Sequence, residues 1–184
     1  MTDMKNAGME RLPELAAQCG FDHWGPLNMD SLIFRPEVRE MCAEGKCSTF
    51  GTSWSCPPGC GTLEEIRERA KSYGRGFLVQ TTGNLEDDFD YESMMDTERV
   101  HKEHFLLLAQ QVRQWAPDCW PMTAGGCRLC ETCTYPDAPC RQPQRMLSSM
   151  EACGLFVSDV CRQSGLAYNY GSQTITFTSC ILLR

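Results

Sequence analysis

Thirteen of the 184 residues are cysteine, and eight of them fall into two tight groups: Cys42, Cys47, Cys56 and Cys60, then Cys127, Cys130, Cys133 and Cys140. A chain of this length can bury its own core and needs no covalent staples. The odd count also argues against a complete disulfide framework. The N-terminal stretch MTDMKNAGMERLPEL has no apolar core of signal-peptide length, so the expected location is the cytoplasm, where thiols stay reduced. Reduced thiols gathered in fours point to metal ligation. Cys19, Cys153, Cys161 and Cys180 stand in apolar or helical stretches and Cys119 lies between Asp118 and Trp120; these five read as small buried hydrophobes.

The second group carries the sharper signal. GGCRLCETCTYPDAPCRQP spells C-x2-C-x2-C-x6-C. Three cysteines at every third residue can each reach a different iron of a cubane, the logic of the bacterial ferredoxin run. Here the last gap is six residues instead of three, and Pro143 stands three positions after Cys140 instead of directly after it. Tetrahedral zinc competes, because four-thiolate zinc sites also use C-x2-C pairs, though they usually keep two such pairs apart. The TYPDAP gap leaves Cys140 free to serve its own cluster or a neighbouring one.

The first group, CAEGKCSTFGTSWSCPPGCG, has the looser spacing C-x4-C-x8-C-x3-C. It is compatible with a second iron–sulfur cluster or with a zinc-stapled loop. Trp54 and the Pro57-Pro58 pair would exclude water and stiffen the ligand loop. Proline stiffness hinders Cys56 and Cys60 from reaching two irons of one cube. Cys42, Cys47 and Cys56 are therefore the firm ligands, with the fourth position held by Cys60 or another residue, or left open.

Taken together, VREMC-x4-C near position 40, W-S-C-P-P at 54–58, the C-x2-C-x2-C run and a closing Tyr-rich strand segment resemble a family of small prokaryotic proteins. Its members, mostly from anaerobes, are known only as predicted metal-binding proteins of unknown function. The resemblance runs from about residue 9 to 183. It implies an iron–sulfur or other metal protein in an anaerobe's cytoplasm, and it supplies no reaction. Cys42, Cys47, Cys56 and the four cysteines from 127 to 140 match the family pattern, and Cys60 is less regular.

The formal charge of −7, from 17 basic and 24 acidic residues without a Lys/Arg block, makes nucleic acid and anionic membrane poor partners. No apolar run approaches the ~20 residues needed to span a bilayer. Glu98, His101 and His104 have an E-x-x-H spacing, but a di-iron bundle needs that motif twice, and the chain has three histidines. No dinucleotide, Walker or nucleophile-elbow motif is present.

Periodicity and turn residues predict helices over 9–19, 36–42, 62–73, 97–115, 143–152 and 156–163, and strands over 27–34, 77–82, 119–124 and 174–183. The segments 43–61 and 83–96 read as a cysteine-bearing loop and an acidic connection. The expected architecture is one α+β domain over 1–184, a small, mainly antiparallel sheet with packed helices and two metal-binding cysteine loops at one end. The expected function is low-potential electron transfer through one or two [4Fe–4S] clusters to a partner enzyme with a basic docking patch. The rivals are an enzyme using an open iron as Lewis acid and a zinc-stapled interaction module.

Overall fold

The computed structural model describes residues 8–184. Its helices are α1 (Leu12–Gln18), α2 (Pro36–Met41), α3 (Leu63–Ala70), α4 (Tyr91–Arg113) and α5 (Val157–Gln163); its strands are β1 (His23–Pro26), β2 (Arg75–Asn84), β3 (Trp120–Met122) and β4 (Thr174–Leu183). The strands form one antiparallel sheet in the order β1-β2-β4-β3. The fold is α+β.

The β2–β4 pair is the spine, in register from Arg75 opposite Leu183 to Asn84 opposite Thr174. Side chains alternate across a strand, and here both faces are covered. Phe77, Val79, Ile181 and Leu183 join Leu12, Leu15, Phe105, Leu108 and Val112 of α1 and α4. Leu78, Cys180, Leu182, Trp120 and Met122 join Ile66 of α3, Leu155, and Val157 and Val160 of α5. Burial on two faces explains why TSCILL reads as a continuous apolar run rather than an alternation. Truncating Phe105, which is fully buried, would cost about 3–5 kcal/mol. Cys19, Cys119, Cys153, Cys161 and Cys180 are all buried among these residues, and burial holds the Cys153 and Cys180 thiols protonated.

His101 is a core residue, not a ligand. Its Nδ1 is 2.9 Å from the Thr81 hydroxyl and its Nε2 is 2.7 Å from the Ser179 hydroxyl. Burial, with smaller contributions from His104 and Lys102, pushes its pKa down to about 3, so the ring is neutral.

Local chemistry moves several boundaries. Thr62 and Glu65 form the capping box that starts α3, which ends at Ala70, three residues before the expected stop. The helix expected from 97 starts at Tyr91, because the Asp90 carboxylate accepts from the Ser93 N–H and caps it earlier; the acidic connection thereby shrinks. The strand expected over 27–34 is not formed. Pairing to β2 uses His23–Pro26 instead. The Asn28 side chain then accepts from the Asp30 N–H and starts a 3-10 turn, Met29–Ser31; only Phe34 makes an isolated bridge, to Leu155. The helix expected over 143–152 is also absent. Thr123, just past β3, draws the segment to the sheet edge: its N–H donates to Ser148 O at 3.0 Å and its carbonyl accepts from the Met150 N–H at 2.9 Å. A tight turn over 149–154 follows.

Candidate metal centre

Cys42, Cys47 and Cys56, with Gly125 and Gly126 at the start of the second segment, share a cavity with Ile175–Thr178 of β4, whose first four residues are only half-buried. Pro36 at the first turn of α2 fixes its start, and α2 delivers Cys42 at its C-terminus. A π-helical turn, Cys42–Lys46, follows before Cys47 returns to extended backbone.

Cys42, Cys47 and Cys56 line one cavity of about 360 Å³, which Thr49, Ser149, Glu151, Tyr168 and Thr178 also border. The Thr49 hydroxyl lies 3.1 Å from Cys47 Sγ and 3.2 Å from Cys56 Sγ, and so bridges two of the three sulfurs. Burial pushes the Cys42 thiol up, and nearby Cys47, Glu151 and Cys56 push it further, against Arg39.

Cys60 does not border this cavity. Its sulfur accepts from Arg39 Nη2 at 3.3 Å and lies 3.6 Å from the Ala152 carbonyl, while the same Arg39 nitrogen donates to Gly61 O at 2.7 Å. Burial raises its pKa, and Arg39 opposes that rise.

Cys127, Cys130, Cys133 and Cys140 form the second assembly. Gln142 ties its far end: the side-chain amide donates to Cys130 Sγ at 3.5 Å and to Leu129 O at 2.8 Å, and the backbone N–H donates to Cys140 Sγ at 3.4 Å. The six-residue gap thus turns back, so that Gln142 contacts both Cys140 and Cys130. Burial raises the Cys127 pKa and the closeness of Cys140, Cys130 and Cys133 adds to it, against the Leu129 N–H. At Cys133 burial works upward, but the N–H groups of Trp54 and Tyr135, the Ser53 hydroxyl and the Thr134 N–H outweigh it and hold its pKa below that of an ordinary thiol.

The two assemblies meet at residues 53–56. The Trp54 ring packs edge-on against Tyr135, centroids 4.9 Å apart, and its Nε1 donates to Ala138 O at 3.0 Å. The Cys127 N–H donates to Ser55 Oγ at 3.2 Å, and that oxygen lies 3.6 Å from Cys56 Sγ. Two glycines make the approach possible. A Cβ on Gly126 would stand 2.9 Å from Thr49 Cγ2, and one on Gly59 would stand 2.7 Å from Ser53 O. On the other side of Cys127 lies an open groove of about 1200 Å³ along α4. Its floor holds Glu98, paired to Lys102 at 2.6 Å and to Arg128 at 3.3 Å, and Lys102 Nζ also donates to Gly126 O at 2.7 Å.

Among the described residues, no three His, Cys, Asp or Glu side chains are gathered as closely as one metal ion requires. No helix among them is long and apolar enough to cross a membrane.

Sequence reasoning passed over Ser53, Ser55, Thr49, Gln142 and Glu151. Glu151 had a visible signal: it is the sole charged residue between Arg145 and Asp159. The others are ordinary polar loop residues whose role comes only from the meeting of the two segments.

No curated protein and no solved structure matches the chain. A family model described as predicted metal-binding protein (DUF2284) matches residues 25–183, which span both cysteine assemblies, and the chain belongs to that family.

Proposed function

We propose that the chain is an iron–sulfur protein that transfers single electrons. Cys127, Cys130, Cys133 and Cys140 hold one [4Fe–4S] cluster, and Cys42, Cys47 and Cys56 hold a second. When bound, such clusters supply one-electron chemistry; the chain supplies ligands, N–H and O–H groups around sulfur, and insulation from water. The observation that carries the reading is the closure of the second assembly by Gln142, which contacts the sulfurs of both Cys130 and Cys140.

The C-x2-C-x2-C run of Cys127, Cys130 and Cys133 supports clusters over zinc: a cubane takes each thiolate on a different iron, whereas four-thiolate zinc sites usually keep two C-x2-C pairs apart. The contacts through Ser55 join the two assemblies without a gap in packing. The acidic chain would dock on a basic patch of its acceptor through a small, transient interface.

The test follows the electrons. Reduced anaerobically, the protein is mixed with a basic one-electron haem protein in a stopped-flow instrument. The expected result is reoxidation of the chain with a rate that falls steeply with salt, as charge-steered encounter requires. A chain that dithionite does not bleach, or that never reduces the acceptor, contradicts the proposal.

The cavity beside Cys42, Cys47 and Cys56 supports a second reading, an enzyme whose incompletely thiolated cluster acts on a substrate as a Lewis acid. The two readings part over what fills the fourth position.

A further inference from the structure

Glu151 sits in a turn held on every side. The Cys153 N–H donates to Ser149 O at 3.1 Å, the Gly154 N–H to Glu151 O at 2.8 Å and the Leu155 N–H to Met150 O at 3.0 Å. Its neighbours Met150, Ala152 and Cys153 are buried at 0, 3 and 1% exposure. The residue is half-buried as a whole, but its Oε2 is shut off from solvent and has no hydrogen-bond partner. Burial pushes the pKa of this carboxyl up, against its own backbone N–H, the Ser149 hydroxyl and Lys102, and a buried carboxyl oxygen without a partner costs free energy that an apolar residue here would avoid. An orphan of this kind calls for an ion or group that completes it.

Glu151 borders the same cavity as Cys42, Cys47 and Cys56. No Lys, Arg or His among the described residues forms an ion pair with it; Lys102 is engaged by Glu98 and Gly126 O. Cys60, the other candidate for a fourth donor, is turned toward Arg39 and Ala152. The remaining polar groups on the cavity wall are mostly hydroxyls, weaker and less anionic donors.

We propose that Glu151 is the fourth protein ligand of the cluster held by Cys42, Cys47 and Cys56. The proposal rests on the iron–sulfur reading above. Ligation puts one carboxylate oxygen on the iron that no thiolate reaches; the carboxyl proton goes to solvent and no electrons change hands. A carboxylate is a harder donor than a thiolate and exchanges more readily, so this iron is the one a small ligand in the cavity would reach.

The test compares Glu151→Gln, Glu151→Cys and Cys42→Ser with the wild-type chain after anaerobic reconstitution, reading iron per chain and the electron paramagnetic resonance spectrum. Glutamine keeps the shape of the turn but offers only a neutral amide. E151Q is expected to lose about one iron per chain and to show the signal of an oxidised three-iron cluster. E151C, which returns a thiolate, is expected to keep the wild-type iron count and lack that signal. If E151Q retains the wild-type iron count and spectrum while C42S strips the cavity cluster, the ligand assignment is overturned and Glu151 is a buried protonated acid. If C42S also leaves the iron content unchanged, the iron–sulfur reading of the cavity has failed, and the ligand proposal with it.

Discussion

Around Cys133, the groups that lower its pKa are mainly backbone N–H groups of the loop and of Trp54; around Cys47 and Cys56, one threonine hydroxyl lies between the two sulfurs and accepts from Cys56 Sγ. The first arrangement centres on a tight loop whose every third residue is cysteine, with Ser53 and Trp54 of the other segment laid against it. The second is assembled from segments far apart in the chain, with Ser149, Glu151 and β4 closing it. A sheath of N–H groups suits a cluster that changes charge and does nothing else, because fixed dipoles tune a potential without offering an exchangeable position. A cavity with a carboxyl and hydroxyls suits a cluster with one differing iron. On the proposed reading the same residue type thus serves two sites of different character, joined through Ser55.

The largest effect should come from removing the metal. Neither 43–61 nor 125–143 is rich enough in apolar residues to order itself, so ligation supplies much of its folding free energy. Chelation under mild oxidation is expected to open both segments to protease while α4, anchored by Phe105, Leu108 and Val112, resists far longer. Equal cleavage of all three regions in the stripped protein would erase the distinction between scaffold and sites.

Substitution of single ligands should separate the sites. Cys130→Ser is expected to lower iron by roughly four atoms per chain and spare the cavity cluster. Cys42→Ser should do the reverse. Cys60→Ala, which removes a sulfur facing Arg39, is expected to leave iron content and spectrum unchanged. A three-iron signal in Cys60→Ala would instead make Cys60 a ligand.

The sheet core has its own signature, in pH. His101 is held neutral, its folded pKa pushed down to about 3 by burial, while the unfolded value is near 6.5. The unfolded state therefore binds the extra proton between those values, so this contribution is complete above pH 6.5 and is lost as pH falls toward 3. At pH 5.5 the loss is about 1.3 kcal/mol relative to pH 7. Denaturant unfolding of wild type and His101→Gln at pH 7 and 5.5 should show the Gln variant losing less on acidification; equal losses would mean that the imidazole is not held neutral.

The smallest effect belongs to the hydroxyl beside Cys133. Hydrogen bonds to cluster sulfur favour the more negative, reduced state. Ser53→Ala is expected to lower the potential of the four-cysteine cluster by roughly a few tens of millivolts, the equivalent of about 1 kcal/mol. A shift confined to the cavity cluster would place Ser53 in the wrong neighbourhood.

What was legible in the sequence divides along physical lines. β4 and the capping box at Thr62 are local signals, a long β-branched and apolar run and a four-residue pattern, and they appear where periodicity puts them. The strand expected at 27–34 failed because Asn28 offers the backbone a local alternative to the ladder. The helix expected at 143–152 failed because Thr123 offers its backbone groups a non-local one. The cysteine spacing separates two groups before any fold is known. It could not say where Cys60 faces, since that depends on Arg39, 21 residues away, nor that Glu151 shares a cavity with Cys42.

The account stands on the claim that these thiols hold iron and sulfide at two sites. Iron, acid-labile sulfide and zinc quantified together on anaerobically purified wild-type protein test it most directly. The prediction is roughly eight iron and eight sulfide per chain, as two cubanes require, with zinc only in trace. Stoichiometric zinc without acid-labile sulfide would contradict it.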